Sequence, residues 1–507
     1  MLLAEQWIPD LSTIFTHFAA EAVLCLAIPG VILVDLFAGR GEGKSGEKAA
    51  GTAGLIALAA ALLLAIVQPS APDATLTTLL RADGLAQAFR IIALATGFIA
   101  ALAALRGDVK RAHTEFFVCL LGAVVGACLT AAANDLAMLY LSVETLSIAG
   151  YLLAGFRKED PKGSEAAMKY VIFGAISSGI MLYGMTLVYG FAGTATIATP
   201  EGMEYASIAR EAAAASSSPA FLIAIVLVFA GLAYKVAAAP FQFWCPDVYE
   251  GAPTSVAAFL AVASKGAGFA VILRLFAAVT PPDVSMTATL QAVLLIVALI
   301  TMTIGNVAAL RQNNAKRLLA YSAIAHAGYL LLGVAVTTAT GASAVVFYMM
   351  VYLFMTLGAF YMVGVVERQT GRVDLDAFTG LGFKAPWFGI CLGVCLISLT
   401  GLPPTAGFPG KFFLFQEVFS YAGAHDSSLF FWGGVIGLLN GVISLGYYAK
   451  FLKVMYLCDT ERIPEGRFAF AGMDRGLVLV LTVPVLVLGV AFEAVRELAD
   501  SLAKGIF

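Results

Sequence analysis

The sequence is built from apolar runs of about 20 residues separated by short polar connections. A helix needs roughly 20 apolar residues to cross a hydrocarbon core, and in lipid a helix satisfies its own backbone polar groups. Of the 507 residues, 60% are apolar and only 12% are charged, far fewer than the roughly 25% of soluble domains. The sequence therefore predicts an all-α membrane protein.

The apolar runs predict about fourteen membrane spans. No connection between them is long enough for a soluble domain, the longest being 38–50, 193–218 and 454–474. The predicted spans are 13–37, 51–68, 84–105, 114–132, 135–155, 168–192, 219–240, 254–277, 287–309, 317–337, 341–365, 385–420, 428–453 and 475–494.

Basic residues in the connections alternate from one side of the membrane to the other. Connections after even-numbered spans hold few of them, Arg81 and Arg210 being exceptions. Under the positive-inside rule, odd-numbered spans then end in the cytoplasm and both termini lie outside. The basic residues that follow odd-numbered spans are Arg40, Lys44, Lys48, Arg106, Lys110, Arg111, Arg157, Lys158, Lys162, Arg311, Arg368, Arg372, Lys453, Arg462 and Arg467.

Two sequence matches predict an internal duplication. The tetrapeptide Gly-Tyr-Leu-Leu at 150–153 recurs at 328–331, and Lys235 is matched by Lys411 at nearly the same spacing. A repeat of about 177 residues holds five spans, and an odd number of spans inverts the second copy in the membrane, as in many transporters. The predicted organisation is three N-terminal helices (1–110), a first repeat of helices 4–8 (111–285), a second, inverted repeat of helices 9–13 (286–455) and a C-terminal helix with its tail (456–507).

One broken helix is predicted in each repeat. Pro240 follows Lys235 closely in the first, and Pro403 and Pro404 precede Lys411 in the second. Proline removes a helix donor and clashes with the preceding turn, which frees carbonyls that need water or side chains as partners. A lysine beside freed backbone is a candidate site for holding protons.

Ionisable residues inside the spans are the candidate functional groups, because charge in hydrocarbon costs at least a few kcal/mol. Lys235, Lys265 and Lys411 lie within apolar runs, as do Glu144 and His326. A buried carboxylate needs a partner, and a lysine on a neighbouring helix is the expected one. A lysine that loses its partner is driven by desolvation toward the neutral form. Contacts with the membrane interface or with other subunits are predicted for Glu21, Asp35, Asp83 and Arg90.

The seven cysteines are scattered and are predicted to be inert buried thiols. Cys391 and Cys395 lie one helical turn apart, without a second pair to complete a metal site. No phosphate-binding glycine loop follows a strand, and no basic segment suggests a nucleic-acid partner. The remaining cysteines are Cys25, Cys119, Cys128, Cys245 and Cys458.

Two stretches of sequence carry a family resemblance. The segment that includes Gly305-Asn306, Lys316–Ser322 and His326–Tyr329 resembles the tenth helix of the antiporter-like subunits of respiratory complex I, relatives of multisubunit cation/proton antiporters. The phrase Pro246-Asp-Val-Tyr-Glu-Gly-Ala-Pro253 resembles the N family of these subunits more than the L and M families. The resemblance covers roughly residues 110–455.

The resemblance implies a role for each candidate. Glu144 matches the fifth-helix glutamate, Lys235 the seventh-helix lysine that pairs with it, and Lys265 the eighth-helix relay lysine. Lys411 matches the twelfth-helix position, and His326 a polar site of the tenth helix. In the family these groups line a hydrated path at the membrane centre.

The predicted function is proton translocation within an NADH–quinone oxidoreductase of a bacterial inner membrane. The resemblance implies redox chemistry in other subunits, no cofactor or metal in this chain, and the antiporter-like M subunit, the small membrane subunits and lipid as partners. Two alternatives stay open. One is a subunit that exchanges monovalent cations for protons, and the other is a scaffold that does not pump.

Overall fold

The computed structural model describes residues 15–38, 44–68, 78–109, 112–199, 206–281, 286–457, 472–504 and 506, which are largely helical. Short helices at Ile208–Ala215, Trp244–Gly251, Leu375–Phe378 and Leu381–Lys384 lie between longer ones. The long helices are α1 (Ala19–Ala38), α2 (Lys44–Val67), α3 (Gly84–Asp108), α4 (His113–Ala132), α5 (Leu136–Ala154), α6 (Pro161–Ala192), α7 (Pro219–Val236), α8 (Thr254–Val279), α9 (Thr287–Leu310), α10 (Ala315–Ala335), α11 (Ala339–Thr370), α12 (Pro386–Thr400), α13 (Gly407–Ala424), α14 (Ser428–Tyr456), α15 (Gly472–Val490) and α16 (Glu493–Ala503).

Thirteen helices within the described ranges are long and apolar enough to cross a membrane, namely α1 to α11, α14 and α15. The shorter helix α12 and the helix α13 that follows its break supply the remaining predicted span, 385–420. The predicted all-α membrane fold is confirmed. The side of the membrane on which each end lies stays a prediction, and the basic residues Arg40, Lys110, Arg111, Arg462 and Arg467 lie outside the described residues.

The five-helix repeat is visible in matching landmarks of its two copies. Asp135 caps the start of α5, and Asn314 caps the start of α10. Each cap residue also forms an isolated antiparallel bridge to the segment after the next helix, at Thr196 and Asp374. Helices α6 and α11 are both 32 residues long, and each ends at a left-handed glycine. These landmarks lie 178 or 179 positions apart, the spacing of the Gly-Tyr-Leu-Leu match.

Both predicted helix breaks are present, with the same backbone course. Helix α7 is followed by Ala237 at φ 58°, and α12 is followed by Gly401 at φ 89°, both left-handed. The chain becomes helical again at Trp244 and at Gly407. These landmarks lie only 164 and 163 positions apart. The spacing is shorter because the connection before α7 is longer and holds the helix Ile208–Ala215.

This register corrects one of the two sequence matches. Lys235 lies two residues before its left-handed residue, whereas Lys411 lies ten residues after its own. The two lysines are therefore not equivalent positions, and their spacing agreed with the repeat by coincidence. The residue that occupies the place of Lys411 in the first copy is Asp247, 164 positions earlier.

Three helices form the centre of the fold. The apolar stretches of α8, α10 and α11 are 100%, 94% and 89% buried by other parts of the chain, whereas that of α1 is 22% buried. Since α8 carries Lys265 and α10 carries His326, two of the candidate residues lie on the most enclosed helices.

Candidate functional site

The structure buries four of the five candidate residues. The exposed fractions are 1% for Lys235, 2% for Lys265, 1% for His326 and 6% for Lys411. Glu144 is partly exposed. Because lysines are almost never fully buried without a partner, each of these side chains needs compensating contacts.

Lys235 and Glu144 both contact serines. The Lys235 Nζ, at the end of α7, donates a hydrogen bond to the Ser147 hydroxyl at 3.0 Å. Glu144 lies one turn before Ser147 on α5 and accepts a hydrogen bond from Ser178 of α6. No ion pair within 4.0 Å joins Glu144 and Lys235, both of which the structure describes. Lys235 of α7 thus contacts a serine that lies one turn from Glu144 on α5, and not Glu144 itself.

Lys265 follows an irregular turn of α8. Leu260–Ser264 forms a π-helical turn directly before it, a local expansion that is frequent at functional sites. The Lys265 Nζ donates to the Ala323 carbonyl of α10 at 2.7 Å. The lysine is therefore held against the N-terminal half of α10.

His326 lies between two tyrosine hydroxyls. Its Nδ1 is 2.6 Å from the Tyr348 hydroxyl, and its Nε2 is 3.4 Å from the Tyr448 hydroxyl. The Tyr448 hydroxyl also hydrogen-bonds with Ser322, one turn earlier on α10. In neutral imidazole one nitrogen donates and the other accepts, so this arrangement can pass a proton from one side of the ring to the other.

Lys411 is held by the helix break itself. Its Nζ donates to the Leu399 carbonyl at 3.1 Å and to the Thr400 carbonyl at 2.8 Å, at the carboxyl end of α12. The negative end of the helix dipole favours a cation there. The Tyr329 ring lies on another side of the ammonium, 4.6 Å from Nζ to the ring centroid. Freed carbonyls beside a lysine are the arrangement that the proline pattern predicts.

Helix α10 connects three of these groups along one face. Ala323 accepts from Lys265, His326 follows three residues later, and Tyr329 faces Lys411 after three more. Residues three apart are neighbours on a helix surface. The structure thus brings Lys265, His326 and Lys411 to one helix, while Lys235 contacts Ser147 on α5, one turn from Glu144.

Three side chains that contact the candidate residues, Tyr348, Tyr448 and Ser147, were not predicted from the sequence. Tyr348 and Tyr448 lie on α11 and α14, so their contact with His326 depends on tertiary packing. On α10 itself, Ser322 and Tyr329 lie at helical spacing from His326 and could have indicated a polar face.

Three charged residues predicted to contact the membrane interface or other subunits are paired within the chain instead. Glu21 lies 2.6 Å from Arg90, and Asp83 lies 2.7 Å from Arg274 on α8. Asp83 also caps the start of α3. That prediction is therefore wrong for Glu21, Asp83 and Arg90, because burial forces each to find an internal partner. For Asp35 it stays a prediction.

The six cysteines that the structure describes are free thiols. Cys458 lies outside the described residues. Within the described part of the chain, no three histidine, cysteine or acidic side chains come together in a way that could hold a metal ion.

Comparison with known proteins gives consistent matches. The family model described as NADH:quinone oxidoreductase/Mrp antiporter, TM, matches residues 133–437. NADH-quinone oxidoreductase subunit N 2 of Sorangium cellulosum is 41% identical over 505 residues, covering 95% of this chain and 96% of that protein. NADH-quinone oxidoreductase subunit N of an Anaeromyxobacter species is 40% identical over 460 residues, covering 88% of each.

A chain of respiratory complex I from Thermus thermophilus has a similar structure. It superimposes with a TM-score of 0.75 at 32% identity, covering 95% of this chain and 99% of that one. Identity above 30% over nearly the whole length, together with the shared fold, shows that the two chains belong to one family. The chain belongs to the family of subunit N of NADH-quinone oxidoreductase.

Proposed function

We propose that this chain translocates protons as a membrane subunit of an NADH–quinone oxidoreductase, through a relay of Glu144, Lys235, Lys265, His326 and Lys411. The observation that carries the proposal is the line of contacts along α10, from Lys265 at Ala323 through His326 to Lys411 at Tyr329. Four buried titratable groups in one enclosed region are costly to maintain, which favours a functional role over a structural one.

The relay would operate by changes in charge at the lysines. A buried ammonium persists while an opposite charge or polar groups stabilise it, and desolvation favours loss of its proton when they withdraw. A change in the charge of Glu144 would thus alter the proton affinity of Lys235, with Ser147 between them. His326 would pass a proton between hydroxyls on its two ring nitrogens.

The redox chemistry would lie in other subunits. We propose that this chain binds no nicotinamide, flavin, quinone or iron–sulfur cluster, and that it packs in the membrane arm against the antiporter-like M subunit and small subunits. The proposed location is the bacterial inner membrane, with both termini on the periplasmic side, since the basic connections follow odd-numbered spans.

Glu144→Gln tests the charge switch. Glutamine keeps the size of the side chain and an oxygen that can accept from Ser178, but it removes the charge. We expect an assembled complex with reduced proton uptake into vesicles and slowed quinone reduction. Ser178→Ala is the control, because it removes the hydrogen bond and keeps the carboxylate. Near-normal proton uptake in Glu144→Gln would refute the switch.

A further inference from the structure

We infer that Asn306 on α9 is a positioning residue for Lys411, acting through the ring of Tyr329. The inference rests on the proposed function of Lys411 as a proton-bearing group. Asn306 forms part of the sequence resemblance, but the relay assigns it no role. Its contacts in the structure supply one.

Every polar atom of the Asn306 side chain is used. The residue is fully buried. Its Nδ2 donates to the Tyr329 hydroxyl at 3.1 Å and, on Asn440, to the main-chain carbonyl at 3.1 Å and Oδ1 at 3.2 Å, and its Oδ1 accepts from the Tyr447 hydroxyl at 3.1 Å. Since donors and acceptors are matched on both ends of the amide, its orientation is fixed.

Asn440 fixes the amide from the opposite side. Its own Nδ2 donates to the Ile436 carbonyl and to the Thr303 hydroxyl, both at 3.1 Å. Its Oδ1 is therefore left to accept from Asn306. The side chains of Asn306, Asn440 and Tyr447, from α9 and α14, thus form a hydrogen-bonded cluster that fixes the position of the Tyr329 hydroxyl.

The ring of Tyr329 is the aromatic partner of the Lys411 ammonium. Among the ion pairs of the described residues, none within 4.0 Å involves Lys411, whose hydrogen bonds go to two carbonyls. A cation within about 6 Å of a ring centroid is stabilised most strongly when both are desolvated, and the distance here is 4.6 Å. A fixed position of the Tyr329 ring therefore maintains part of the electrostatic stabilisation of the charged lysine.

A purely structural role for Asn306 would be to join α9, α10 and α14. The chain offers a matched control for that role. Gln291, also on α9 and buried, accepts from the Tyr421 hydroxyl at 2.8 Å and donates to Thr337 at 2.7 Å. It joins neighbouring segments in the same way, without any of the contacts that Asn306 makes to Tyr329.

The experiment compares Asn306→Leu, Tyr329→Phe, their double variant, Tyr329→Leu and the control Gln291→Leu in the full complex. Proton uptake, normalised to assembled complex, and thermal stability are both measured. We expect a fall in uptake of about tenfold for Tyr329→Leu, from loss of the cation–π contact. Asn306→Leu and Tyr329→Phe should each reduce uptake about threefold, and the double variant no further, because both remove the same hydrogen bond.

Separate outcomes judge this inference and the proposed function. Uptake in Asn306→Leu equal to that in Gln291→Leu, at equal loss of thermal stability, would overturn the positioning role. Additive losses in the double variant would also overturn it, since Asn306 would then act independently of the Tyr329 hydroxyl. Lys411→Ala is measured alongside: if it pumps normally, the proposed function of Lys411 fails, and if it is inactive while Asn306→Leu is normal, only this inference fails.

Discussion

The two broken helices share a backbone course but differ in where they place charge. In the first, Lys235 precedes the left-handed Ala237 and contacts a serine of another helix. In the second, Lys411 follows the left-handed Gly401 and contacts the carbonyls of its own break. The repeat has thus duplicated the break and not the position of the lysine.

Asp247 shows the consequence in the first copy. It occupies the place of Lys411 and is held by Lys169 and Arg317, each at 2.6 Å. Arg317 belongs to α10, in the second copy, so this carboxylate joins the two repeats. The same backbone position holds a carboxylate paired between repeats in one copy and a buried lysine in the other. Inverted symmetry of the fold therefore does not imply symmetry of the chemistry.

The largest effect is expected at Lys411. A proton-bearing lysine must gain and lose its charge, which arginine does not do in proteins. Lys411→Arg should therefore impair proton uptake nearly as much as Lys411→Ala, although it keeps the positive charge at the break. The measurement is proton uptake in vesicles, normalised to assembled complex.

The alternative for Lys411 is a fixed counter-charge at the carboxyl end of α12. In that case arginine should substitute well, since it can also donate to the Leu399 and Thr400 carbonyls, and only alanine should fail. Full activity of Lys411→Arg beside an inactive Lys411→Ala would remove Lys411 from the relay.

The next effect distinguishes the two breaks directly. A Cβ at Gly401 would lie 2.7 Å from the Lys411 Cδ, at φ 89°. Gly401→Ala should reduce proton uptake severalfold, because the added methyl group displaces the lysine. It should also lower the free energy of unfolding by about 1–2 kcal/mol, because alanine is strained in the left-handed conformation. Ala237→Gly is the matched change in the first break, where relief of that cost offsets the added chain entropy of glycine.

Uptake and thermal unfolding of both variants test this contrast. Ala237→Gly is expected to keep uptake near normal and to shift stability by less than about 1 kcal/mol. Equal losses in the two variants would mean that the breaks act alike and that the contact of Gly401 with Lys411 carries no special weight.

The sequence predicted the spans and the breaks because composition and proline act locally. The register of the breaks was mispredicted because the connection before α7 is longer than its counterpart before α12, which no local pattern records. The neighbours of His326 were missed because their contact depends on how helices pack: Tyr348 reaches it from α11 and Tyr448 from α14. The burial of Lys235, Lys265 and Lys411 followed from hydropathy, but their contacts required the packed structure.

A smaller effect is expected at Ser147, the hydrogen-bond partner of Lys235 in the first break. Ser147→Ala removes a hydrogen bond to a charged group, a contribution of about 1.5–3 kcal/mol, although water can replace part of it. We expect a partial loss of proton uptake, smaller than that of Glu144→Gln. Ser142→Ala is the control, because its hydroxyl, buried on the same helix, donates to the Leu139 carbonyl and contacts no lysine in this way. Equal uptake in the two serine variants would show that the hydrogen bond from Lys235 to Ser147 does not contribute to proton uptake.

The smallest effect is expected from the cysteines, one of which directly follows the first break and has no counterpart after the second. Cys245 is fully buried beside the Ala320 carbonyl, and proline stands at the matching position 409. If the thiols hold no metal and form no disulfide, replacing all seven by alanine should leave assembly and electron transfer largely intact, apart from small losses of packing. Metal content and quinone reduction of the purified complex test this expectation. Loss of a metal centre or of redox activity would show that a thiol takes part in the chemistry, and restoring Cys245 alone would then tell whether the first break carries it.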